Sequence, residues 1–441
     1  MKKSGEIIKI KRTYEGSLPN AWLDAVKLLA EECRARVRNE IAALAISSQV
    51  GTYVINGREV IPWSSDVGIE ELKSIKSVIK KDEFISEIGM DHPELISYPL
   101  PRMVYIQKHF GEKSEVLMPK ELLIRDLTGE TVTDVFSMRG IANAQRGEYA
   151  DKIIDKLGIK IALPKLKRPD EVAGYITEDA SRKYGLPSGI PVYLGCNDFF
   201  AGLLGMGIYE MGDFFELSGT SSHIGYISEN INRDAFVSGE YFIGNATYGG
   251  TKSSGVSCDF AINNFGIDNL SIESALSKKT PIFLPYLAGE RAPIFDENAR
   301  GVYFGLNSET DKESLAYATL EGVIFSLYDI AESMGAPKPN RFVCGGGSAR
   351  NTFMNKLRAT LFDCEVISVC ENDTSALGAC LIAMVGNGVF KNFSSAVKAC
   401  VKYNAGVYPI PEYKDILKKR FSIYKELYSD LKHRFKKFNN I

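Results

Sequence analysis

The sequence predicts a two-domain α/β protein, and three observations carry that prediction. The chain has 441 residues, more than one ordinary core accommodates, so two or three domains follow from length. Hydrophobic residues make up 45% and charged residues 24%, a globular composition that excludes disorder and collagen-like repeats. Strand-like and helix-like segments alternate along most of the chain, which is the pattern of α/β architecture. Lys and Arg number 53 against 55 Asp and Glu, for a net charge of −2. That balance offers no polycationic face for nucleic acid and no polybasic patch for a membrane.

Taken in order, residues 5–12 (GEIIKIKR) alternate charged and apolar side chains and read as a strand. Residues 21–41 repeat apolar positions at helical spacing, and 41–47 (IAALAIS) form an apolar run that suits a buried parallel strand. A second pattern begins near 191. Residues 191–207 read as an apolar strand, a Gly-Cys-Asn-Asp turn and a small-residue helix, and 213–228 as two strands around a Ser-Gly-Thr-Ser-Ser turn. Residues 341–357 read as a strand, three glycines and a helix, and 374–388 as a helix whose small residues demand close packing. Leu417, Phe421, Tyr424, Tyr428, Leu431 and Phe435 share one face of a basic C-terminal helix, a packing element more simply than a membrane anchor. No run reaches the roughly eighteen uncharged apolar residues of a membrane span, and the first residues contain no signal-peptide core. Eight cysteines form no C-x-x-C pair and four histidines are scattered, so neither a zinc site nor a disulfide framework is expected and no metal ligand is assigned. The chain reads as cytoplasmic, with reduced thiols.

Three features bear on chemistry. Gly219-Thr220-Ser221 sits at a turn between two strands, where successive backbone N–H groups and hydroxyls make an anion nest; a plain hairpin turn is the simpler reading of that segment alone. Gly345-Gly346-Gly347 follows a strand and opens a helix, which suits phosphate, or else tight strand-to-helix packing. Arg350 occupies the place of the third glycine of a dinucleotide fingerprint, so that motif is excluded. Asp198 stands just past a strand end, where open α/β sheets bind ligands; it suits the base that accepts a hydroxyl proton in phosphoryl transfer, and equally a helix cap. Two phosphate-suited turns and one carboxylate together describe a kinase better than three coincidences.

These blocks resemble the FGGY carbohydrate kinases of the actin/hexokinase/Hsp70-like superfamily. Ser97 through His109 is similar to the family's first signature, with Arg102 for its usual Lys and Tyr105 for its usual Trp. Gly301–Leu306 with Ala318–Glu321 resembles the second, with Ser314 at a position usually acidic, amide or His. Residues 122–134, 185–198 and 284–293 also look like family blocks, so the resemblance spans roughly 30–410. It implies two actin/ribonuclease-H-like domains around a deep cleft, a sugar-side domain at 1–195 and a nucleotide-side domain at 196–441. It implies Asp198 as catalytic base, although Cys196 replaces a family glycine. Gly219 and Thr220 would hold the phosphates, with Gly255 nearby; Gly345 and Gly346 match the adenosine motif, with Asn351 beside the adenine. Gln49, Trp63 and Asp66, together with Asp198, match the sugar-side blocks.

The implied reaction transfers the γ-phosphoryl of ATP to a sugar, keto-sugar or polyol hydroxyl with Mg²⁺. Gln49-Val50-Gly51 differs from the Gln-Met-His of xylulokinases and the Asn-Gln-Arg-Glu of glycerol kinases, and Phe199 stands where glycerol kinases carry Gln. No individual substrate is assigned. A homodimer is implied by the resemblance alone. The family opens with two strands around an Asp-x-Gly-Thr turn, and nothing before residue 40 resembles it. The resemblance therefore implies a first domain that lacks its opening strands, leaving 5–12 without a neighbour and 41–47 with one unpaired edge. The rival reading is a non-catalytic sugar- or nucleotide-binding relative that lost this turn.

Overall fold

The computed structural model describes residues 8–16, 19–36, 41–90, 95–266 and 270–440. The chain forms two compact units, Met1–Gly207 with Thr374–Cys400, and Ile208–Asp373 with Val401–Ile441.

In the first unit a three-stranded sheet runs in the order Leu44–Ala45, Pro191–Tyr193, Val172–Tyr175. The first pair is parallel, with Leu44 opposite Val192, and the second antiparallel. Helices Pro19–Arg36, Pro119–Thr128 and Glu178–Tyr184 cover it, burying Ala30, Ile124, Leu127, Ala180 and Tyr184 against Val192 and Leu194. The run expected at 41–47 forms a strand only at Leu44–Ala45. Gly195 explains the break. It adopts φ +67, and a Cβ there would lie 1.8 Å from the Ile46 carbonyl oxygen, so the two segments press backbone on backbone and rejoin at the Ser48–Asn197 bridge. No strand pairs with the other edge of Leu44–Ala45 among the described residues.

The strand expected at 5–12 is corrected where it is described: residues 8–12 are not in a strand, and Ile8 is 48% exposed. Alternation marks a segment that could join a sheet but does not supply the partner strand. Residues 5–7 lie outside the described residues. The helix expected over 21–41 is described as Pro19–Arg36; residues 37–40 lie outside the described residues.

The division after residue 195 in the sequence reading differs from the observed one, because helix Asp198–Gly205 packs against helix Thr374–Gly386. A Cβ on Gly205 would sit 1.9 Å from the Thr374 carbonyl oxygen, and one on Gly378 1.8 Å from that of Ala201. The small residues of 374–388 thus let two helix backbones touch.

The second unit holds a six-stranded sheet ordered Val237–Glu240, Asn245–Thr251, Ser222–Ser228, Asp213–Ser218, Arg341–Gly346, Val366–Ser368. Its last three strands run parallel and the rest antiparallel. Phe214, Phe342 and Phe362 meet edge-on or tilted at about 5 Å between centroids, joining the sheet to helix Thr352–Phe362. The C-terminal helix Pro411–Phe438 buries Leu417, Phe421, Tyr424 and Phe435 in this core, with Tyr428 and Leu431 packed at its margin. That is the face its spacing predicts. Among the described residues, no helix is long and apolar enough to cross a membrane.

Candidate active site

Each unit carries part of the constellation, and each part is built by local chain geometry. In the first unit Asp198 opens the Asp198–Gly205 helix, but the cap is its neighbour: Asn197 Oδ1 accepts the Phe200 N–H at 2.8 Å. The duty that competed with catalysis for Asp198 therefore falls to Asn197. The Asp198 N–H donates to the Ser48 carbonyl at 2.9 Å, tying the helix start to the segment that carries Gln49. The Asp198 side chain is exposed, yet protein packed around it removes enough water to raise its pKa. The N–H of Phe199 and its own N–H pull in the opposite direction. Cys196, buried two residues earlier, has its thiol pushed well up by burial and is inert as a nucleophile.

Thr52 knots the remaining groups together. Its hydroxyl oxygen accepts from Gln49 Nε2 at 3.2 Å and from the Trp63 N–H at 3.1 Å, while its own side chain is fully buried. Gly51, at φ +80, brings the turn against Ser97, since a Cβ there would lie 2.9 Å from that of Ser97. Trp63 remains 53% exposed, an indole face open to a ligand. Arg102, fully buried, donates to the Ser65 carbonyl at 2.8 Å and to that of Pro62 at 3.4 Å, which fixes the turn carrying Trp63. Asp66 is exposed in the same turn, within the electrostatic reach of Arg102.

In the second unit the turn after Asp213–Ser218 leaves Gly219 and Thr220 exposed. Their carbonyls accept the N–H groups of Gly255 at 3.2 Å and Val256 at 3.4 Å. Gly255 lies so close that a Cβ would come within 2.4 Å of the Gly219 oxygen; it shapes the turn from behind. Strands Asp213–Ser218 and Arg341–Gly346 pair in parallel with Ser218 opposite Gly346, so both glycine turns leave the same sheet end. Gly345 is buried. Gly346 has φ +85, and its Cβ would fall 1.8 Å from the Ser218 oxygen. Gly347 alone of the three is both exposed and clear of neighbours, with no atom within 4 Å of a Cβ built on it. Asn351 caps helix Thr352–Phe362, accepting the Met354 N–H at 3.0 Å.

The structure thus links Asp198, Ser48, Gln49 and Trp63 in one unit, and Gly219, Thr220, Gly255, Gly345 and Gly346 in the other. Sequence reading missed Thr52, whose position is apolar in character, and treated Arg102 only as a departure from a signature. It also missed Glu216, Ser348 and Arg358. The available signal was Glu216 between the apolar Phe215 and Leu217 of strand Asp213–Ser218, and Arg358 on the face of Met354, Leu357 and Leu361.

Residues 3–205 match the model of the N-terminal domain of the FGGY family of carbohydrate kinases, and residues 262–386 match that of its C-terminal domain. The chain belongs to the FGGY family of carbohydrate kinases. It is therefore an ATP-dependent sugar kinase. A xylulose kinase of Lactococcus lactis subsp. lactis is 25% identical over 98% of this chain and 92% of its own length. A gluconokinase of Bacillus subtilis is 26% identical over 76% of this chain and 71% of its own. Among solved structures, the gluconate kinase from Lactobacillus acidophilus superposes with a TM-score of 0.82 at 24% identity, covering 98% of this chain and 93% of that one. The Plasmodium falciparum glycerol kinase with ADP gives a TM-score of 0.77 at 16% identity, over 96% and 91%. At these identities the structures establish a shared α/β fold.

Proposed function

We propose that this FGGY kinase phosphorylates a small polyhydroxylated sugar, keto-sugar or polyol, with xylulose the first candidate from its relatives, and that Asp198 is the base. The observation that carries the reading is Asp198 itself. It stands at a helix start already capped by Asn197, joined through Ser48 to the Gln49–Trp63 turn, with a raised pKa that suits a proton acceptor better than an ordinary carboxylate. In the reaction the hydroxyl oxygen forms a bond to the γ-phosphorus of ATP. The bridging P–O bond breaks to release ADP, and Asp198 takes the hydroxyl proton. Trp63 offers an apolar face for the carbon chain, and Gln49 an amide for its hydroxyls.

On the nucleotide side, Gly219, Thr220 and the Gly345–Gly347 turn present backbone and hydroxyl donors to the phosphates. The cap carried by Asn351 leaves it a positioning role there. No group of three or more His, Cys, Asp or Glu side chains able to hold a metal occurs among the described residues. A Mg²⁺ would be carried mainly by the ATP phosphates, as this cation commonly is in kinases. When bound it neutralises phosphate charge. A kinase that draws on ATP and a free sugar works in the cytoplasm.

ADP release measured with D-xylulose, D-ribulose, D-gluconate, glycerol and no sugar tests the reading. Release stimulated by one of these and lost in Asp198→Asn is expected. Sugar-independent hydrolysis, or tight binding of sugar without turnover, would overturn it, the latter in favour of a non-catalytic relative.

A further inference from the structure

Beneath the two glycine turns lies an ion pair wholly withdrawn from water. Glu216, on the Asp213–Ser218 strand, and Arg358, on the Thr352–Phe362 helix, are each 0% exposed. Glu216 Oε2 accepts from Arg358 Nε at 2.6 Å, and Oε1 accepts from Arg358 Nη2 at 2.9 Å. Oε1 also receives the hydroxyls of Ser348 at 3.2 Å and Ser222 at 3.5 Å. These two serines are the residues that follow the turns, Ser222 after Gly219-Thr220-Ser221 and Ser348 after Gly345-Gly346-Gly347. One carboxylate therefore touches the exit of each.

The network continues to the entrances. The Ser348 N–H donates to Ser218 Oγ at 3.1 Å, and that hydroxyl donates to the Gly345 carbonyl at 2.8 Å. Arg358 Nη2 donates to Ser348 Oγ at 2.7 Å. Arg358 Nη1 donates to Asn355 Oδ1 at 2.9 Å, and Asn355 Nδ2 to the Ala349 carbonyl at 2.8 Å. Ser222 Oγ lies 2.6 Å from Ser254 Oγ, on the residue before Gly255.

Stability by itself does not account for such a pair. Taking two charges out of water is costly, and an apolar pair of the same volume is often as stable or more so. Direction is what the charges add, because an apolar pair fills the space but cannot hold the hydroxyls. Donors that serve a phosphate must be placed within a few tenths of an ångström, and their own supports set that precision.

We propose that the Glu216–Arg358 pair, acting through Ser348 and Ser222, fixes the spacing of the two glycine turns and thereby sets nucleotide affinity. The inference rests on the reading of these turns as the phosphate site. Both residues are positioning residues; neither touches the nucleotide.

The test compares melting temperature and ADP binding by calorimetry in Ser348→Ala, which keeps the ion pair but cuts its link, and in Glu216→Met/Arg358→Met, which refills the space. Expected is a Kd for ADP raised on the order of ten- to a hundredfold in the double variant, by analogy with the loss of hydrogen-bonded supports behind metal ligands. Its melting temperature should be preserved or raised. Ser348→Ala should shift the Kd in the same direction, and it decides the matter if the double variant does not fold. A wild-type Kd in a folded variant overturns the inference. Gly347→Val separates the two levels: if it weakens ADP binding while the pair variants do not, only the positioning role fails. If Gly347→Val also leaves ADP binding unchanged, the reading of the turns fails with it.

Discussion

Gly346 and Gly347 are adjacent, yet the same substitution should do opposite things at each. At Gly347 the backbone has φ −64 and ψ −49, which any residue adopts, and nothing lies within 4 Å of an added Cβ. Gly347→Val should therefore fold normally, with stability within about 0.5 kcal/mol of the parent. Its side chain would instead occupy the space over the turn. Losing one charge-assisted bond from a backbone N–H to phosphate costs about 1.5–3 kcal/mol, on the order of 10–150-fold in the Kd for ADP. At Gly346, φ +85 and the Ser218 oxygen at 1.8 Å from a Cβ combine backbone strain of about 1–3 kcal/mol with overpacking of about 1–3 kcal/mol. Gly346→Val should thus melt roughly 5–20 °C lower, since each kcal/mol moves a domain of this size by about 2–4 °C. Thermal melts and ADP titration of the two variants check both halves. Gly347→Val with an unchanged Kd would refute the assignment of this turn to phosphate, and Gly346→Val with an unchanged melt would refute the packing geometry.

Asp198→Asn should lower kcat by about 10²–10⁴-fold with little effect on sugar binding or melting, whereas Asn197→Ala, which loses the cap, should cost about 0.5–2 kcal/mol of stability. Because the Asp198 pKa is raised and a base works ionised, kcat/KM should fall as pH drops, along a limb above the usual carboxylate value near 4; a limb below that value in a pH–rate profile would exclude this base. Thr52→Val should raise KM for the sugar while leaving the Kd for ADP alone, since it unties Gln49 from Trp63; equal loss of both would mark a general packing defect. Asp329 is buried and burial pushes its pKa up to about 6. The folded state therefore holds that proton more tightly than the unfolded one, and the stability it contributes is present below about pH 4 and lost as pH rises through 6. Asp329→Asn should be more stable than the parent at pH 8 by roughly 2–3 kcal/mol, with the difference gone at pH 4; denaturant melts at the two pH values read this directly.

Much of this protein was legible without coordinates. The strands on either side of Gly219-Thr220-Ser221, the strand before the three glycines, the close-packed helix at 374–386 and the buried face of the C-terminal helix are all written in local pattern. Turn chemistry and the periods of helix and strand need only a few neighbouring residues. The family blocks likewise singled out Asp198 and both glycine turns as candidates, because each is a contiguous stretch.

Only the tertiary structure decided what depends on residues far apart in the chain. It cut the expected 41–47 strand to Leu44–Ala45 through the contact of Gly195 on Ile46, and it left residues 8–12 outside any sheet. It placed 374–400 with the first unit, made Asn197 and not Asp198 the cap, and separated packed Gly346 from open Gly347. It also brought Glu216 to Arg358 across 142 positions of sequence. Period and propensity act within one element, whereas a buried charge finds its partner only when the strand and the helix that carry them have packed.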